Sequence, residues 1–325
     1  MFVSMHRVLS VWSVLSVPVA LGGEGIAPFP RVQAIPQPGD QVSFQRDGVE
    51  LVRYHFERSL RRPFWFPLVG PGGHVVTRLG QPDDPMGHSH HNSVWVSHND
   101  VNGVNFWADT GEGRIVHQAV ERFDDGAESA ALTVRNAWVH RSGKVLLNER
   151  RRTTIRLLPD GEWFLIVELH IEPVDGDVAF GQTPFGLFAV RVAKTMSVRD
   201  GGGTIRNSAG GVNEKGVLWK PAQWVDYSGP AAPGRLHGIT LMDHPGNPNH
   251  PSVFHVRDNG WMGSSFSFHA PYVLRAGQRL RLMYGLYVHD GMPVPERIDR
   301  RFAEFARTGH TETPASTRSA SAPTR

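Results

Sequence analysis

The sequence predicts a mainly β protein: a large antiparallel β-sandwich with one short C-terminal helix. Three observations carry this. Apolar and polar residues alternate with a period of two along much of the chain, as in strands with one buried face. Turn pairs containing glycine separate these runs, and 35 glycines and 24 prolines punctuate the 325 residues throughout. Helical periodicity is persuasive only once, near the C-terminus. Hydrophobic residues make up 40%, enough for a sizeable core, and the β portion is longer than an immunoglobulin-sized sandwich needs.

In chain order, residues 1–23 read as an export signal. A short basic start (Met1 to Arg7) precedes an apolar stretch (Val8 to Gly23) that ends in small residues, with cleavage expected between Ala20 and Gly25. The alternative, a membrane anchor, has to accommodate Ser10, Ser13, Ser16 and Pro18 in a run short for a span. The expected location is therefore periplasmic or extracellular, with no stable membrane span after signal cleavage. The chain has no cysteine, so the core must hold without disulfides. Residues 24–40 form a Pro-rich lead-in, read as extended chain or linker.

Residues 41–307 are expected to form a single β-sandwich domain. "QVSFQRDGVELVRYHF" alternates on both sides of Asp47-Gly48, which predicts a hairpin. Ala130 to Pro173 reads as a meander with turns at Ser142-Gly143 and Asp160-Gly161, and Trp163 to Val167 marks a buried strand. Gln278 to Asp290 puts Leu280, Leu282, Tyr284, Leu286 and Val288 on one face. After Pro293, a helix with Pro295 near its start aligns Ile298, Phe302 and Phe305 in a stripe. The tail, 308–325, lacks aromatic residues and reads as disordered.

Net charge is +3, and no Lys/Arg block of the kind that tracks phosphates occurs, which argues against a nucleic-acid partner. There is no nucleophile elbow, phosphate loop or dinucleotide fingerprint; the glycine-rich Asp200 to Gly211 lacks the lysine and spacing of a phosphate loop and reads as a turn.

The chemistry-bearing stretch is "DDPMGHSHHNSVWVSHNDVNGVNFWAD", Asp83 to Asp109, with four histidines, two tryptophans, four asparagines and four aspartates. In an extended chain His88 and His90 share a face roughly 6–7 Å apart, within reach of one divalent metal that Asp83 or Asp84 could help hold. His98, roughly 26 Å further along an extended chain, is a poor partner for the same ion. The stretch also suits a sugar, which needs flat apolar faces such as Trp95 and Trp107 and planar polar groups such as Asn99, Asn105 and Asp100. Asn102-Gly103 is equally an ordinary turn, and burial in the core is the default for the tryptophans. Further clusters hold Glu214, Lys220, Trp224 and Asp226; Asp243, His244, Arg257 and Trp261; and, in "SSFSFHAPY", His269.

The segments "RPFWFPLVGPGGHVVTR", "GHSHHNSVWVSHNDVNGVNFW", "GLFAVRVAKTMSV", "KPAQWVDYSG" and "MDHPGNPNHP", in this order between Arg62 and Asp290, resemble the bacterial family labelled "methane oxygenase PmoA", mostly secreted proteins of unknown function. Members commonly show His-Pro-His-His-Arg-Gly-Leu-Trp where this chain has His88-Ser89-His90-His91-Asn92-Ser93-Val94-Trp95. The resemblance implies a sandwich of the galactose-mutarotase type, a supersandwich whose members act on or bind carbohydrates. The methane monooxygenase subunit of that name is an integral membrane protein, and this chain has no segments to span a bilayer repeatedly, so methane oxidation is rejected.

The expectation is a carbohydrate-active enzyme, a hydrolase, lyase or epimerase, working by histidine/carboxylate acid–base chemistry on a sugar or glycoside. His90, His91 and His244 are the candidate catalytic histidines, and Asp100, Glu214, Asp226 and Asp243 the candidate carboxylates. His98, Asn99, Asn105, Trp107, Lys220, Trp224, Arg257, Trp261 and His269 are the candidate substrate-binding residues. No cofactor is expected. Two alternatives stand beside this reading: a non-catalytic carbohydrate-binding module, and an enzyme using one divalent metal at His88 and His90.

Overall fold

A computed structural model describes residues 29–80 and 88–310. The segment read as an export signal, Asp83 and Asp84, and the residues beyond His310 lie outside the described residues.

Two large antiparallel sheets stack face to face. The first has nine strands, in spatial order Val32–Gln37, Gln41–Arg46, Val49–His55, Phe64–Leu68, Val94–His98, Gly186–Arg191, Trp261–Ser265, Val253–Arg257 and Lys220–Pro221. The second has eight: Thr204–Asn207, Trp224–Ala232, Arg235–Asp243, Leu280–Asp290, Trp163–Pro173, Val145–Leu157, Ser129–His140 and Gly113–Asp124. Val178–Phe180 and Tyr272–Leu274 form a separate two-stranded ribbon. Phe44, Val52, Trp65 and Phe188 of the first sheet meet Trp138, Leu165, Leu282 and Tyr284 of the second in one continuous core. The Phe188 and Tyr284 rings stack across the gap at 5.2 Å.

Turn chemistry places the strands. Asp47 and Gly48 both take positive φ (51° and 80°), the geometry that matches the twist of a two-residue hairpin. The meander of Ser129–His140, Val145–Leu157 and Trp163–Pro173 is in register as its alternation predicts. The helix spans Pro295–Ala306 and buries Ile298, Phe302 and Phe305 on the outer face of the eight-stranded sheet, against Phe164, Ile166, Met283 and Tyr287.

Two expectations need revision. Within the 24–40 lead-in, Val32–Gln37 is an edge strand paired along its length with Gln41–Arg46, because its alternation continues the sheet. At the other end, His310 packs against Glu168 and His244, so the ordered chain runs past residue 307. Beside the short C-terminal helix, Val198–Gly201 and Asn213–Val217 form single helical turns, each too short to show periodicity in sequence.

Candidate functional site

The site lies on the face of the nine-stranded sheet that points away from the core. Val94, Val96, Phe188, Val190, Phe254 and Val256 face inward, so Trp95, Ala189 and His255 between them face out. Register then aligns one row across five strands: Phe64, Trp95, Ala189, Gly263 and His255. The row is large at its ends and small in the middle, which hollows the floor. The Trp261 indole lies over the gap, since a Cβ on Gly263 would sit only 3.0 Å from that ring. Arg191 and Arg257 flank Trp261 on the adjacent strands.

Two loops raise the wall. Residues 88–91 form a turn rather than an extended run, so the spacing assumed for His88 and His90 does not apply. His91 N–H closes it by donating to His88 O at 3.1 Å. The turn stacks His88 on His91 (4.6 Å, 9°) and His91 on Trp261 (4.9 Å, 19°). In the second loop, Asn105 Oδ1 accepts from the Trp107 and Ala108 amides at 2.8 and 3.0 Å, which turns Trp107 inward. Buried Arg62 ties the two loops together. It donates to His90 O (3.0 Å), Asn92 Oδ1 (2.7 Å), Phe106 O (3.1 Å) and Trp107 O.

The result is a cleft of about 400 Å³, lined by His88, His90, His91, Asn99, Asn105, Trp107, Phe185, His255, Arg257, Asn259 and Trp261. A further hollow adjoins it, sharing His88, Arg257 and Asn259 and adding Arg199, Glu214 and Lys215. Burial, reinforced by Arg62, pushes His90 down to about 4, although Asp109 opposes the shift. Burial and Arg257 likewise push His255 down to about 4, against the pull of Glu214. His91 falls well below the ordinary range through burial and the Arg191 charge. All three are neutral at pH 7. His255 Nε2 accepts from Arg257 Nε at 3.2 Å, which puts the His255 proton on Nδ1.

The sequence-derived candidates divide sharply. His90, His91, Asn99, Asn105, Trp107, Arg257 and Trp261 come together in the cleft. Glu214 reaches only its edge, where it binds Arg257 at 2.6 Å and the Asp258 amide at 2.9 Å. The other candidates have work elsewhere. Asp226 is buried among Ser228, Thr240 and His289, at 2.8–2.9 Å. Burial pushes its carboxyl up, but His289 and the Ser228 hydroxyl outweigh that and hold it low. Asp243 bonds His250, Asn247 and the Ser252 amide, not His244, and His244 sits against Phe305. Trp224 donates to Asp299, anchoring the helix. His98 is buried against Ser267 at 2.9 Å, and Asp100 closes a turn by accepting from Gly103 N. Lys220 is an exposed edge residue, and His269 lies exposed beyond the end of the Trp261–Ser265 strand.

The residues given no role from sequence are Asn259, Phe185, the buried Arg62 and His255, the last of which stands in the same sequence cluster as Arg257 and Trp261. Alternation in Val253–Arg257 puts His255 on the same face as Arg257, so that one was legible. The His88 and His90 rings, the pair considered for a metal, stand with centroids 6.5 Å apart and planes at 75°, and the carboxylates considered beside them, Asp83 and Asp84, lie outside the described residues.

The sequence profile of a family of unknown function, DUF6807, matches residues 41–303. No protein of curated function matches the sequence. Among solved structures, the chain is similar to a GalM/aldose epimerase homologue from C. elegans, at 9% identity and a TM-score of 0.35, covering 81% of this chain and 100% of that one. It is also similar to the heparan sulfate lyase HepC from Pedobacter heparinus, at 7% identity and a TM-score of 0.33, covering 78% of this chain and 33% of the lyase.

Proposed function

The chain belongs to the DUF6807 family of unknown function, and we propose that it is an exported carbohydrate-active enzyme that binds a sugar in the outer-sheet cleft and moves a proton on it through neutral histidines. One observation carries the reading: Trp107 and Trp261 line a cleft of about 400 Å³ together with His90, His255, Arg257 and three asparagines. Indole faces suit the C–H face of a sugar ring, and amides suit its hydroxyl rim. His90 and His255 enter the reaction unprotonated. One takes a proton, and the Arg257 guanidinium stabilises charge developing on a substrate oxygen. The neutral histidines beside Arg257 suit proton abstraction from a sugar carbon, as in elimination or epimerisation. The indoles of Trp107 and Trp261 and the amides of Asn99, Asn105 and Asn259 also suit the second reading, a binding module that needs no proton transfer.

Time-resolved NMR of the protein with oligosaccharides, uronides, keto-sugars and free anomers separates the two. New product signals are expected, with turnover steady from pH 8 to 6 and falling as His90 and His255 protonate near pH 4. His90→Gln or His255→Gln should slow turnover about 100-fold or more while sparing most of the affinity. Saturable ligand broadening without product would leave only the binding module.

A further inference from the structure

We infer that Glu168, His170 and His310 form a binding site for one divalent cation of the Zn²⁺ class, which clamps the C-terminal segment onto the eight-stranded sheet. Glu168 and His170 stand two apart on Trp163–Pro173, so both side chains leave the same face. It is the face that the helix covers, where Phe164 and Ile166 of the same strand pack with Ile298, Phe302 and Phe305. Beyond the helix the chain brings His310 down over the polar end of this face. His310 Nδ1 lies 3.2 Å from Glu168 Oε1, and His170 Nε2 lies 2.9 Å from the same oxygen. One ligand atom from each residue lies within 4.8 Å of the other two.

Two imidazole nitrogens and a carboxylate oxygen are a Zn²⁺-type donor set rather than the all-oxygen set that Ca²⁺ or Mg²⁺ prefers. Ligands about 2.0–2.2 Å from a tetrahedral ion stand about 3.3–3.5 Å apart, so the two spacings from Glu168 need only a small expansion, and the third lies within 4.8 Å. Each histidine presents its lone pair when its proton sits on the other ring nitrogen, Nδ1 of His170 and Nε2 of His310. A fourth position remains for water or for His244, whose ring centroid is 5.8 Å from that of His310. The cluster and the histidine cleft lie on the outer faces of different sheets, so the inference does not depend on the proposed function.

The test uses the full chain, free of any affinity tag and stripped with a chelator, titrated calorimetrically with Zn²⁺ and spectroscopically with Co²⁺. One equivalent should bind, with visible Co²⁺ d–d bands and a rise in Tm. His310→Ala, beyond the helix and outside the core, should weaken uptake roughly 30-fold or more and remove the Tm rise. His90→Ala should keep both. No uptake by the wild-type chain, or uptake by His310→Ala equal to wild type, would overturn the inference.

Discussion

Arg62→Met should collapse the cleft while leaving the sandwich folded. The guanidinium holds His90 O, Asn92 Oδ1, Phe106 O and Trp107 O at once, and almost none of it is exposed. Burial lowers its pKa to about 10, and it remains charged at neutral pH. A thioether fills much of the volume but donates nothing. The four acceptors lose their partner, and each buried one left unsatisfied costs about 1–3 kcal/mol. Partial relaxation of the loops toward water brings the expected net loss to about 3–5 kcal/mol, the range for breaking a buried charged network. In a domain of this size that corresponds to a Tm fall of roughly 10 °C. Sugar affinity should fall further than stability alone explains, because the turn carrying His90 and the loop carrying Trp107 are no longer tied together. Arg62→Lys keeps the charge without the planar fork and should be intermediate. Thermal melts and ligand titrations of both variants check this, and wild-type Tm with wild-type affinity in Arg62→Met would contradict it.

Glu149→Leu should be the most destabilising change in the core. Glu149 sits between the sheets and accepts from Asn136 Nδ2 (2.9 Å), Trp138 Nε1 (2.7 Å) and Arg151 Nε (2.6 Å). Both members of the ion pair are fully buried, and the guanidinium lies 5.2 Å from the centroid of the Trp65 ring in the opposite sheet. Removing the carboxylate strands a positive charge in the core at a cost of about 3–5 kcal/mol. The double variant Glu149→Leu/Arg151→Met removes both charges and should regain most of that loss, since apolar pairs replace buried ion pairs at little cost. Chemical denaturation of the single and double variants measures it. A double variant less stable than the single would show that the pair contributes through its geometry and not through mutual neutralisation.

The fold was legible where one physical rule acted alone. Asp47-Gly48 needs left-handed φ at both residues, and Ile298, Phe302 and Phe305 follow a helical period, so both elements stand where expected. The strand Val32–Gln37 was obscured by Pro36 and its proline-rich surroundings, although an edge strand tolerates proline. Within the site, the unusual mixture around His88 to Trp107 announced a polar rim. What it concealed was the assembly: the hairpin carrying His255 and Trp261 meets the Val94–His98 strand only through Gly186–Arg191, by pairings between strands far apart in sequence that local patterning does not encode. The carboxylates misled for a different reason. Asp226 and Asp243 stand among histidines and hydroxyls because buried charge needs partners, and in sequence such a network has the same composition as a catalytic one.

The central claim is that the Trp107–Trp261 cleft is where sugar binds. It is tested most directly by titrating ¹⁵N-labelled protein with the sugar panel while following the indole N–H signals, assigned by Trp107→Phe and Trp261→Phe. The account predicts saturable shifts of those two indoles, with the signals of Trp138 and Trp163 in the core unmoved. Binding that leaves the Trp107 and Trp261 signals unchanged, or no binding by any sugar, would contradict it.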